Sequence, residues 1–111
     1  MGKYLMIVLT NPVDGLEDEY NDWYTNRHVP DVVAIPGIIS AQRFRFATAV
    51  RPPAHLHKYL AIYEIETDDP QTVADELARR RGTALLPMSD GLSDDICALI
   101  YEPITGRVAE S

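Results

Sequence analysis

An α+β fold, with one four-stranded antiparallel sheet and two helices on one of its faces in the order βαββαβ, is what this sequence predicts. Three observations carry the prediction. Four apolar or aromatic runs of strand length lie near residues 3–10, 38–48, 57–66 and 95–101. Two stretches with helix-start residues and helical spacing separate them, one after the first run and one after the third. The chain has 111 residues, 46% hydrophobic and 24% charged, which is enough for one core and too little for two. A single domain over residues 1–111 with the split βαβ, or ferredoxin-like, arrangement is therefore expected.

Each element has its own warrant. The run 3–10 is nearly continuous in apolar residues, as befits a central strand covered on both faces, and it ends at the turn residues Asn11, Pro12, Asp14 and Gly15. Asp14 followed by Glu17 resembles a capping box and predicts a first helix from about Gly15. That helix should stop near His28 or Val29, because Pro30 disfavours helical backbone in the residue before it. A short turn or ordered loop follows to Pro36-Gly37, a strong break. Residues 38–48 then alternate, with Ile38, Ser40, Gln42, Phe44 and Phe46 on one side and Ile39, Ala41, Arg43 and Arg45 on the other. Residues 49–55, with Pro52-Pro53, read as an exposed connection before the Tyr- and Ile-rich third strand. Asp69-Pro70 opens the second helix and Gly82 closes it, with Val73, Ala74, Leu77 and Ala78 as its apolar stripe and Arg79 to Arg81 complementing its dipole. The fourth strand is expected at 95–101, after a connection with one short turn at 83–86.

Two helices on one face leave the other sheet face bare, while strand residues of both parities are largely apolar. A second copy of the chain covering that face predicts a homodimer. A formal charge of −7 speaks against a nucleic-acid partner, whose binding draws on Lys and Arg. The apolar run at the N-terminus is too short to span a bilayer and has no cleavage pattern, so no membrane is expected and cytoplasmic residence is the default. Cys97 is the sole cysteine and lies in an apolar run, which excludes an intramolecular disulfide and suggests a buried, inert thiol.

The first helix carries the functional signal. At about 100° per residue, Leu16, Tyr20, Trp23, Tyr24, Arg27 and His28 fall within an arc of roughly 140° that should face the sheet. Only Leu16 among them is aliphatic, and buried Tyr and Trp need partners for their polar atoms. Such a face surrounds either water or a ligand. His28, at the expected C-terminal end of the helix where the dipole favours the imidazolium, is the candidate acid/base. A plain cap on the last carbonyls, or a bond to Asp31, is the competing reading. Tyr20 and Tyr24 project together, so that one phenol could polarise a carbonyl oxygen. Aromatic packing with a bonded hydroxyl is the alternative. Trp23 is a candidate cavity wall, and Arg43 suits a carboxylate or enolate as readily as a salt bridge. Tyr59, Tyr63 and Phe44 are candidates for the opposite wall. His55 and His57 form an H-x-H pair with no third and fourth ligand at recognisable spacing, so no metal is expected. Phosphate loops, nucleotide fingerprints and serine or cysteine triads are not found.

The run Tyr20-Asn21-Asp22-Trp23-Tyr24, then His28-Val29-Pro30-Asp31, Pro36-Gly37 and Gln42-Arg43-Phe44, resembles the signature of EthD-like proteins of the dimeric α+β barrel superfamily. The close match covers about the first third of the chain. The resemblance implies two ferredoxin-like subunits closing into a barrel, each with a ligand cavity between the first helix and the sheet. Proteins similar to these include cofactor-free cyclases, isomerases, dehydratases and decarboxylases acting on aromatic, polyketide-like or lactone compounds, and quinone-forming monooxygenases. The expectation is thus a cofactor-independent enzyme transferring a proton on such a small molecule. Its catalytic residues would be His28 and Tyr24, and its substrate-binding residues Tyr20, Trp23, Arg43, Phe44, Tyr59 and Tyr63. A cofactor-free oxygenase and a non-catalytic binding protein are the alternatives.

Overall fold

The computed structural model describes residues 1–110. Its sheet consists of β1 (Gly2–Pro12), β2 (Ile38–Arg45), β3 (Tyr59–Thr67) and β4 (Leu92–Tyr101) in the spatial order β2-β3-β1-β4. All three pairings are antiparallel. Between β1 and β2 the chain forms α1 (Glu17–Trp23), a π-helical turn (Tyr24–His28) and α2 (Val29–Val33), and between β3 and β4 it forms α3 (Pro70–Arg80). This is the predicted ferredoxin-like order.

The start of α1 differs from the capping-box expectation. Leu16 is the N-cap and no side chain caps the helix. Glu17 is drawn away instead, to the hydroxyl of Tyr59 and to Lys58 Nζ, so it cannot reach back to the N-terminus. Glu17, Asp18 and Glu19 still place negative charge where the dipole favours it.

A second difference lies at Pro30, which does not stop the helix. The turn before it widens: Val29 N–H bonds to the carbonyl of Tyr24, five residues back. Pro30 then stands in the first turn of α2, where its missing N–H and fixed φ are tolerated. The helix thereby runs on to Val33, and its aromatic face is re-registered between Tyr24 and His28. Gly37, at φ +97°, makes the break into β2, and a Cβ there would come within 3.2 Å of Val73 Cγ2 and 3.3 Å of the Glu66 carbonyl. α3 follows the sequence closely, with the Asp69 side chain accepting from Gln71 N–H.

The core lies between sheet and helices. Met6, Thr10, Tyr59, Ala61, Tyr63 and Ile65 point towards the helices, where Tyr20, Tyr24, Val32, Ile35 and Val73 meet them. The opposite face carries Leu5, Phe44, Leu99 and Tyr101, each between 40% and 54% exposed. Ile7, Leu9, Ile62 and Cys97 share its parity and are half-buried. Burying this face would remove a continuous apolar surface from water. Cys97 is therefore a half-buried thiol on the open face and not a core residue.

Candidate active site

A cavity of about 250 Å³ opens between the sheet, the π-helical turn and the end of α3. Val8, Thr10, Tyr63 and Ile96 come from the sheet, Tyr24 and His28 from the helix, and Leu77 and Arg81 from α3 and its C-terminus. The walls are mostly apolar. Polar atoms are few and specifically placed, as in small-molecule sites generally.

Two of those atoms are orphans. Among the described residues, Nδ1 of His28 and the hydroxyl of Tyr63 are buried without a hydrogen-bond partner. Buried polar groups are nearly always paired, so two unpaired ones lining the same cavity mark where a ligand would complete the bonding. The His28 ring is fixed by packing, stacked on Trp23 at 4.5 Å and edge-on to Tyr24 at 4.9 Å between centroids. Trp23 is in turn held by a bond from Nε1 to the Pro87 carbonyl, 3.1 Å.

The protonation expected from the helix dipole is reversed. His28 is not at a helix end, because the chain continues helically to Val33. Burial pulls its pKa down to about 4, the Asp31 carboxylate opposes this, and the Arg81 and Arg43 charges reinforce it. The imidazole is neutral at physiological pH and can act as a base. Nor does Asp31 bind it, since that carboxylate takes Nε of Arg27 at 2.6 Å. Burial pushes the Tyr63 phenol up to about 12 and the Tyr24 phenol, also facing Tyr63 and Tyr20, far above its ordinary value. Both remain protonated as donors.

The remaining candidates stand behind this layer. Tyr20 is fully buried and its hydroxyl pairs with Thr10 Oγ1. Tyr59 donates to Glu17 Oε2 and accepts from Asn21 Nδ2. Arg43 lies 4.4 Å from the Tyr24 ring centroid and 5.4 Å from those of Tyr20 and Tyr59, and its guanidinium donates to Thr25 Oγ1 at 2.8 Å and Asn21 Oδ1 at 3.0 Å. Among the described residues it meets no carboxylate; it clamps the outer side of the tyrosine cluster by cation–π contact. Phe44 is not among them: it pairs with Leu60 in the β2–β3 register and stands on the open sheet face. Arg27 likewise turns outward, with its side chain 55% exposed.

Sequence reasoning missed Arg81, read only as a complement to the helix dipole, and the β4 wall at Ile96 and Ala98. Gly82, at φ +78°, ends α3 there and leaves Arg81 at the cavity. The H-x-H pair also looks different in three dimensions. Asp95, distant in sequence, joins His55 and His57 with all donor atoms within 4.8 Å of one another.

No family profile matches the chain. A segment of 64 residues, 56% of this chain, is 38% identical to Core atranone cluster (CAC) protein 1 of Stachybotrys chlorohalonatus and spans about a quarter (26%) of that protein's length. Among solved structures, an EthD-like protein from Ralstonia eutropha superposes with TM-score 0.62 at 15% identity, covering 96% of each chain. A dimeric ferredoxin-like protein of unknown function from Thermobifida fusca gives 0.62 at 13%, covering 92% of each. The haem degrader MhuD of Mycobacterium tuberculosis, with two haems in its active site, gives 0.60 at 18%, covering 95% of this chain and 99% of that one. In its fold this chain stands with the ferredoxin-like proteins that include the EthD, EthD-like and DABB proteins.

Proposed function

We propose that the protein is a cofactor-independent enzyme that moves a proton on a small aromatic, polyketide-like or lactone compound held in the His28 cavity. The observation that carries this reading is the pair of unpartnered polar atoms, His28 Nδ1 and Tyr63 OH, on one apolar cavity. A neutral imidazole takes a proton from the carbon next to a substrate carbonyl. The phenol of Tyr63, with Tyr24 beside it, donates to the oxygen that gains charge. Low local polarity strengthens both contacts. Return of the proton to another atom gives isomerisation. Attack of the deprotonated carbon on a second carbonyl of the same molecule, whose oxygen then takes the proton, gives cyclisation, and departure of a neighbouring hydroxyl with that proton as water gives elimination. Arg81 at the cavity favours a substrate with a negative group. The acting unit in this reading is a homodimer closed over the open sheet face.

The test is turnover of a panel of aromatic and lactone compounds by the wild type and by His28→Ala. Loss of at least about a hundredfold in kcat with binding retained supports the general-base role. Binding without turnover by the wild type would instead make the protein a carrier. Oxygen uptake accompanying turnover would identify the quinone-forming oxygenase chemistry.

A further inference from the structure

We propose that His55, His57 and Asp95 form a site for a divalent transition-metal ion, zinc in the first instance, which clamps the β2–β3 connection onto the start of β4. Three donors of the types zinc prefers converge from two distant parts of the chain. His55 Nε2 lies 2.5 Å from Asp95 Oδ2, and His57 Nε2 lies 3.0 Å from Asp95 Oδ1. The imidazole rings are 4.9 Å apart and almost perpendicular, at 88°. Two ligands each about 2.0–2.1 Å from a tetrahedral zinc stand roughly 3.3 Å apart, so small side-chain rotations place an ion among the three. Two imidazoles and a carboxylate leave one position for water, and the set suits zinc, copper, nickel or iron over calcium or magnesium.

The surroundings are built to hold these ligands. Asn11 is the positioning residue. Its Nδ2 donates to Asp95 Oδ2 at 2.9 Å and to the Leu56 carbonyl at 3.1 Å, while its Oδ1 accepts from Lys58 N–H at 2.7 Å. One side chain thus ties the carboxylate to the backbone on either side of His57. Such outer contacts orient metal ligands and tune affinity. His57 is largely buried, with its side chain 14% exposed, and His55 is the open member at 63%. The sequence hid this site because Asp95 lies 38 residues after His57; folding beside Asn11 at the end of β1 unites them.

Direct hydrogen bonding without a metal is the competing account, and metal uptake separates the two. Tag-free protein, treated with chelator and dialysed, is titrated calorimetrically with zinc and optically with cobalt(II). The proposal expects one ion per chain, visible cobalt d–d bands and a zinc-dependent rise in Tm. His55→Ala, on an exposed side chain that folding does not need, and Asp95→Asn should each weaken binding at least tenfold, and Asn11→Ala about tenfold through its outer contacts. Anomalous diffraction from zinc-soaked crystals should place the ion among His55, His57 and Asp95. A wild type that takes up no more zinc than His55→Ala overturns the proposal, as does an ion located elsewhere. The outcome is independent of the His28 chemistry, because none of the three residues lines that cavity.

Discussion

The imidazole of His28 lies against the indole of Trp23, with ring centroids 4.5 Å apart and planes 29° from parallel. The two are five residues apart, and the π-helical turn between Tyr24 and His28 sets the helix phase that lets them stack. Because Trp23 is anchored to the Pro87 carbonyl, the loop before β4 fixes the imidazole indirectly. Trp23→Ala should therefore lower kcat by about tenfold or more by freeing the ring, whereas Trp23→Phe should recover part of the loss. Steady-state kinetics on both variants, with circular dichroism to confirm folding, checks this.

The His28 imidazole should be mostly neutral above about pH 5. Its folded pKa, about 4, lies below the ordinary 6.5, so the unfolded chain binds the extra proton in between. Stability from this group is greatest above about pH 6.5 and falls as pH drops towards 4, by up to about 3 kcal/mol. Proton NMR of the ring reads the pKa directly. In urea titrations, His28→Gln should flatten the pH dependence between 4 and 6.5 relative to wild type; an unchanged slope contradicts the assignment.

Tyr63→Phe should separate folding from function. Among the described residues the hydroxyl has no hydrogen-bond partner and only the Tyr24 phenol faces it, so its removal leaves stability unchanged or raises it by up to about 1 kcal/mol. If a substrate oxygen bonds there, turnover falls about tenfold or more. A variant that loses stability instead would mean that the hydroxyl is already satisfied.

Tyr20→Phe should behave in the opposite way. It leaves the buried Thr10 hydroxyl without its partner, at a cost of about 1–3 kcal/mol. Catalysis should be little affected, because the Tyr20 hydroxyl is turned to Thr10. Comparison of denaturation midpoints and kcat for the two Phe variants gives the contrast.

Wild-type protein should sediment as a dimer, and Leu99→Glu should shift it towards monomer. Leu99 is 44% exposed and lies opposite Ile7 on the open sheet face. A carboxylate buried in an interface there would be unpaired. Ultracentrifugation at micromolar concentration decides, and a monomeric wild type removes the dimer from the proposed function.

By itself the sequence determined the fold. Apolar and aromatic runs of strand length, the Asp69-Pro70 helix start and the Pro36-Gly37 break are local signals, and α3 and the four strands occur close to where those signals put them. The aromatic helix face was also legible, since the spacing of Tyr20, Trp23 and Tyr24 puts them on the sheet-facing side of one helix. Tertiary structure decided what the face does. Pro30 carries a local rule that ends helices, yet packing of Val32 and Ile35 into the core favours a widened turn that lets the helix pass. That continuation removes His28 from a helix end and places it in an apolar cavity, reversing the sign of its pKa shift. Arg81 and Ile96 reach the cavity, and Asp95 reaches His57, only through β4 pairing with β1 and the turn after α3. Such contacts depend on residues far apart in the chain, and no periodicity in a short window encodes them.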